Sequence, residues 1–172
     1  MSQYRGRAWV FPASVTTDEI LPGEYLDRRN DEVGQFAMAG IDPEFIGKVK
    51  PGDVLVAGSN FGSGSGRETA PMALQQAGIA ALIAPSYGRI FFRNSINIGL
   101  PAVTIESTEH IKEGDLLIVD LDAGTVVDER SGETLPIQNL RGISREILDA
   151  GGIVEFTKLR LADRSKQPVE NK

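Results

Sequence analysis

Apolar residues follow two different rhythms along this chain. In the first, short unbroken apolar runs alternate with amphipathic stretches. Residues 7–11, 53–57, 79–84 and 102–105 read as strands, and residues 67–77 and 89–98 as helices. Gly78 and Gly99 close the two helices, and Pro12 ends the first strand. Strand–helix–strand–helix–strand predicts a parallel sheet with right-handed crossovers. In the second rhythm, residues 116–121, 125–128 and 134–137 are short strands spaced by Asp-Ala-Gly and Ser-Gly turns. These predict an antiparallel C-terminal meander. Residues 142–150 and 153–161 then read as helices on either side of Gly151-Gly152, before a polar tail over about 163–172.

The stretches between these elements are more polar. Residues 15–22 carry two threonines and an aspartate before a Pro-Gly turn, which reads as a loop presenting side chains. Residues 25–31 form a polar loop with two adjacent cations, Arg28 and Arg29. Residues 32–39 fit a short helix. Another is expected from Asp42, with that residue as N-cap and Pro43 in the first helical position. No linker, repeat or low-complexity segment divides residues 1–172, so the chain reads as a single domain.

Composition narrows the function. A net charge of −6 argues against nucleic-acid binding, and an anionic substrate would need a local cationic site. The chain has no cysteine, which excludes disulfides, a thiol nucleophile and any cysteine-held zinc or iron–sulfur site within it. No metal-ligand set is read from the sequence. The first residues lack an apolar signal region, and no apolar run is long enough to span a membrane. The expectation is a cytoplasmic protein without membrane contact.

The candidate chemistry sits at residues 58–69, Gly-Ser-Asn-Phe-Gly-Ser-Gly-Ser-Gly-Arg-Glu-Thr, between a strand and a helix. Such a loop lets backbone approach a ligand and points free N–H groups of a helix start at it. It holds one hydroxyl, Ser65, beside one guanidinium, Arg67. Neither nucleotide pattern is satisfied. Arg67 stands where the dinucleotide fingerprint needs glycine, and the Gly-Lys-Ser/Thr of a phosphate loop is missing. A plainer reading makes the serines helix caps. Against it, a cation at a helix start opposes the dipole unless an anion or acidic partner is present. The single histidine, His110, lies in a polar stretch and reads as a surface residue, so a Ser-His-Asp hydrolase is disfavoured. A serine acts as a base only where donors and positive charge stabilise its alkoxide.

Asn60 to Pro71, together with the run Tyr87-Gly-Arg-Ile-Phe-Phe-Arg-Asn-Ser-Ile-Asn-Ile-Gly-Leu-Pro101, resembles the small subunits of 3-isopropylmalate dehydratase. These are the detached swivel domain of the aconitase superfamily. Asp42-Pro-Glu-Phe45 and Thr16-Thr-Asp-x-Ile-x-Pro22 match as well. The resemblance implies a three-layer β/β/α fold. It also implies a large-subunit partner holding a [4Fe-4S] cluster, with none bound by this chain, and a di- or tricarboxylic acid substrate. By the same resemblance Ser65 is the base and Arg67 binds a substrate carboxylate. Asp18 pairs with an active-site arginine, with Thr17 and Asn60 in support, and Arg29 or Arg28 reads a distal carboxylate.

Two positions depart from the family loop, Gly-Ser-Ser-Arg-Glu-His. The second serine is Gly66 here, and the histidine is Thr69. Isomerisation of 2-isopropylmalate in leucine biosynthesis is the first expectation. A homoaconitase, dimethylmalate or methylcitrate type of dehydratase stays open beside it, as does a non-catalytic anion-binding module. Arg28 and Arg29 fit a substrate with a free carboxylate tail, or simply a solvated loop balanced by Asp27 and Asp31.

Overall fold

The computed structural model describes residues 3–138 and 140–165. Among them, seven strands run in the order β4-β3-β2-β1-β5-β6-β7. The first four, β1 (Gln3–Phe11), β2 (Val54–Ala57), β3 (Ala81–Ala84) and β4 (Ala102–Thr104), pair in parallel. The last three, β5 (Leu116–Asp120), β6 (Thr125–Asp128) and β7 (Thr134–Pro136), form the antiparallel meander. One strand joins the halves. Residues 3–7 of β1 pair with β5, and residues 8–11 pair with β2.

Packing divides this continuous ladder into layers. Side chains of β2 and β3 alternate between two separate cores, as the period of a strand requires. Val54, Val56, Ala81 and Ile83 meet Leu117, Val119 and Val126 of the meander. Leu55, Ala57, Leu82 and Ala84 meet an aromatic-rich core under the helices, with Trp9, Phe45, Phe61 and Phe91. Helices, parallel strands and meander therefore make the expected three layers. Sandwiching also explains why β2 and β3 read as unbroken apolar runs: both their faces are covered.

Six helices are described: α1 (Thr17–Ile20), α2 (Phe45–Lys48), α3 (Thr69–Gln76), α4 (Arg89–Asn97), α5 (Ile143–Asp149) and α6 (Ile153–Ser165). Several differ from the sequence reading. Residues 15–22 contain a helical turn rather than a loop alone. Thr16 and Glu19 close a capping box on it, with the Glu19 amide 3.3 Å from Thr16 Oγ1 and the Thr16 amide 2.7 Å from Glu19 Oε2. Residues 32–39 form only a 3₁₀ turn, Val33–Phe36. Asp42 Oδ1 accepts the Glu44 amide at 3.1 Å, as a cap would, but α2 is established only from Phe45. In α3 the helix begins at Thr69, not residue 67, with Pro71 in its first turn where no N–H is needed. At the other end α6 runs to Ser165, past the expected end at 161, and residues 166–172 of the polar tail lie outside the described residues.

A compact ionic cluster ties the meander to the segment before it. Arg130 donates to both oxygens of buried Asp115, at 2.6 and 3.0 Å, and to Asp128 at 3.3 Å. The Asp128 side chain is fully buried and also accepts the Ser131 hydroxyl at 2.7 Å. The Arg130 hydrogen bond, with the Lys112 amide, outweighs desolvation and holds the Asp115 carboxyl below the usual carboxylate range. A depressed folded-state value adds stability above the unfolded carboxylate range, and that contribution fades as pH falls through the folded value. Asp115→Asn is therefore expected to melt below the parent at neutral pH. The gap should narrow on acidification below about pH 4, as read by calorimetry. A gap independent of pH would remove this ion pair as a source of acid sensitivity.

Candidate active site

The loop after β2 is pinned by α1 on one side and α4 on the other. Ser63 O accepts the Thr17 amide at 2.8 Å, and Val15 O accepts the Gly62 amide at 2.8 Å. Phe61 and Tyr87 form a further bridge between the loop and the entry to α4. Two glycines make this approach feasible. A Cβ on Gly88 would lie 2.6 Å from Gly62 O, and one on Gly62 would lie 2.2 Å from Phe91 Cγ. Neither position accommodates a side chain.

Within this frame Ser65 is exposed and its hydroxyl is doubly held. Arg67 Nε donates to Ser65 Oγ at 2.5 Å, and Thr17 Oγ1 lies 3.1 Å from the same oxygen. Thr17 is buried and also accepts the Ser65 amide at 3.1 Å. A second Arg67 nitrogen, Nη2, is paired with Asp18. The third, Nη1, is buried without a hydrogen-bond partner among the described residues, and so is Thr69 Oγ1. An unsatisfied buried donor costs roughly 1–3 kcal/mol. The loop serines do not cap α3, which has no side-chain cap, so the plain capping reading fails.

Chemically, the arrangement fits an alkoxide at Ser65. A guanidinium donates to Oγ directly, and the Thr17 hydroxyl is placed to donate as well. Both favour the deprotonated form. The histidine is elsewhere: His110 Nε2 lies 3.6 Å from Glu133 Oε2 on the meander side. A crevice of about 290 Å³ opens beside Ser65, lined by Gly62, Ser63, Gly64, Arg89, Ile90 and Phe91 among others.

The remaining sequence candidates fall into two groups. Gly66 is in the loop, and its missing side chain has a structural counterpart. A Cβ there would lie 3.0 Å from Ile90 Cγ2, so Ile90 leans over the space that a serine would enter. Asn60 contributes backbone: it turns through φ 62°, and its amide donates to Ser86 Oγ at 2.8 Å. Arg28 lies over the Phe36 ring at 5.7 Å, and Arg29 pairs with Asp31 at 2.9 Å in an exposed loop. Neither is joined to the Ser65–Arg67 network among the described residues. Sequence reading missed Ile90 and Asn94. Asn94 donates to Gly66 O at 3.2 Å, bracing the loop from α4. The signal was available, because positions 90 and 94 share a helix face.

A parallel β-layer carrying a Gly/Ser loop, backed by an antiparallel meander, defines a swivel domain of the aconitase class. The chain belongs to this family: the model of the aconitase C-terminal domain matches residues 16–108. It is 43% identical over 164 residues to the 3-isopropylmalate dehydratase small subunit of Nautilia profundicola, covering 95% of this chain and 99% of that one. It is 47% identical to two proteins of Methanocaldococcus jannaschii. One is an isopropylmalate/citramalate isomerase small subunit, covering 92% of this chain and 96% of the relative. The other is a methanogen homoaconitase small subunit, covering 96% and 98%. The crystal structure of a 3-isopropylmalate dehydratase chain from that organism superposes with a TM-score of 0.92 at 45% identity, covering 96% and 99% of the two chains.

Proposed function

We propose that this chain is the small subunit of a cytoplasmic hydro-lyase that interconverts 2-isopropylmalate and 3-isopropylmalate in leucine biosynthesis. The carrying observation is the placement of Ser65 Oγ between Arg67 Nε and Thr17 Oγ1, with buried Arg67 Nη1 unpaired beside it. The Arg67 guanidinium donates to a substrate carboxylate oxygen. Ser65, as the alkoxide, removes the proton from the carbon next to that carboxylate. The C–H electron pair forms the double bond as hydroxide leaves the neighbouring carbon. Hydroxide then adds to the carbon that lost the proton and Ser65 returns its proton to the carbon that lost hydroxide, which regenerates the alkoxide and gives the isomer.

The sequence has no cysteine to ligate an iron–sulfur cluster, so this chain does not fit as its holder. In this reading the large subunit holds a [4Fe-4S] cluster, which supplies Lewis acidity toward the departing hydroxyl. What this chain contributes is the base, the carboxylate clamp and a loop held rigid by α1 and α4.

A second substrate within the same chemistry is favoured by two relatives. The isopropylmalate/citramalate isomerase and homoaconitase small subunits both match at 47%. The deciding assay combines the chain anaerobically with its large subunit and offers isopropylmalate, citramalate and homocitrate. Formation of the unsaturated acid is followed by ultraviolet absorbance. Turnover fastest on isopropylmalate is expected. Turnover confined to homocitrate would transfer the assignment, and none on any acid with an intact cluster would overturn it.

Arg67→Lys tests the clamp. An ammonium cannot reach Ser65, Asp18 and a ligand oxygen with one rigid fork. The expected result is a KM raised about tenfold or more, with the loop still folded. An unchanged KM would remove Arg67 from substrate binding.

A further inference from the structure

The outer face of α4 carries two cations that are paired neither in the fold nor in the Ser65 network. Arg89 and Arg93 are exposed and stand one turn apart. Among the described residues neither makes a hydrogen bond or an ion pair. Most other arginines do: Arg5, Arg7, Arg29, Arg67, Arg130 and Arg145 each hold a carboxylate. Between the two unpaired cations stands Ile90, which is 50% exposed. For folding alone this composition is unfavourable. Like charges one turn apart repel, Arg89 opens the helix where the dipole disfavours a cation, and a large apolar side chain meets water.

Position supplies the second argument. Arg89 and Ile90 line the same crevice as Ser65. In the proposed function a partner subunit must bring its reacting centre to Ser65, so the surface bordering that crevice is covered in the assembly. The chain as a whole carries −6. An acidic partner surface would be repelled by most of it and attracted to this local cationic island.

We infer that Arg89, Ile90 and Arg93 form a docking face for an acidic, partly apolar patch on the cluster-bearing large subunit. The carboxylates pair with the two guanidiniums, and an apolar side chain covers Ile90. Because Asn94 of the same helix holds Gly66 O at 3.2 Å, docking on α4 also sets the register of the Ser65 loop against the partner. The inference rests on the hydro-lyase reading for the identity of the partner.

The test measures association of the intact chain with its purified large subunit, by biolayer interferometry at low and high salt, without substrate. Wild type, Arg93→Lys, Arg93→Glu and the double variant Arg89→Glu/Arg93→Glu are compared, each first checked by thermal melting. The expected result is about tenfold weaker association for each reversed charge. Tightening at low salt should be lost in the double variant, and Arg93→Lys should stay within about threefold of wild type. A double variant that binds with wild-type affinity and salt dependence overturns the docking face and leaves the hydro-lyase reading standing. So does one that binds normally but, in the turnover assay on the reconstituted complex, shows a raised KM, which would make the arginines substrate contacts. A wild-type chain that does not associate at all overturns both.

Discussion

Ser65→Ala is expected to lower kcat by about 10²- to 10⁴-fold, the usual range for removal of a positioned base. The alanine methyl cannot take the proton, and no histidine stands by to replace it. Ser65 is exposed but its hydroxyl meets Arg67 and buried Thr17, so its loss should cost about 1 kcal/mol of stability. Association with the large subunit should be unchanged, because α1 and α4 hold the loop through backbone contacts that the substitution leaves in place. Single-turnover kinetics on the reconstituted complex would check this. A variant that keeps a tenth or more of wild-type kcat would refute Ser65 as the base. Thr17→Val is a milder companion, since it removes one hydroxyl from the same oxygen and leaves Arg67.

Gly62→Ala is the corresponding test of the frame. Its φ is +72°, and the new Cβ would sit 2.2 Å from Phe91 Cγ. Phe91 is buried and packed edge-on against Phe61, with ring centroids 5.4 Å apart, so it has nowhere to go. Backbone strain plus overpacking should cost about 2–4 kcal/mol. In a chain of this size that lowers the melting temperature by about 5–15 °C. Turnover should fall too, because the loop moves away from Thr17. Gly64→Ala makes the contrast. Its φ of +110° is also strained, but its Cβ has one tight neighbour, Thr17 Oγ1 at 3.1 Å, and otherwise ordinary contacts. A Gly62→Ala protein melting within about 2 °C of the parent would show that the α4 side of the frame yields.

Much of the site was legible because it is local. Ser65 and Arg67 are two residues apart on one glycine-rich turn, so their proximity follows from the chain itself. Family resemblance points to Asp18 and Thr17, and the structure joins them to that turn from 49 and 48 residues away. Arg28 and Arg29 came by the same route. Arg29 pairs with Asp31, as the solvated-loop reading has it, and Arg28 lies over Phe36 of the next 3₁₀ turn. The helical turn at Thr17 was also readable, since Thr16-x-x-Glu19 is a capping-box pattern.

The sequence by itself determined the succession of strands, the apolar runs of β2 and β3, and the glycine-rich loop that carries Ser65 and Arg67. Those features depend on hydrophobic period, glycine placement and short-range hydrogen bonding, all written in neighbouring residues. Tertiary structure alone decided how β1 divides its length between two partners and how α1 and α4 close on the loop. It also decided which Arg67 nitrogen lacks a partner among the described residues. Each of these is a long-range pairing. Its identity depends on which distant backbone or side-chain group packing brings within about 3 Å, and no local pattern encodes that.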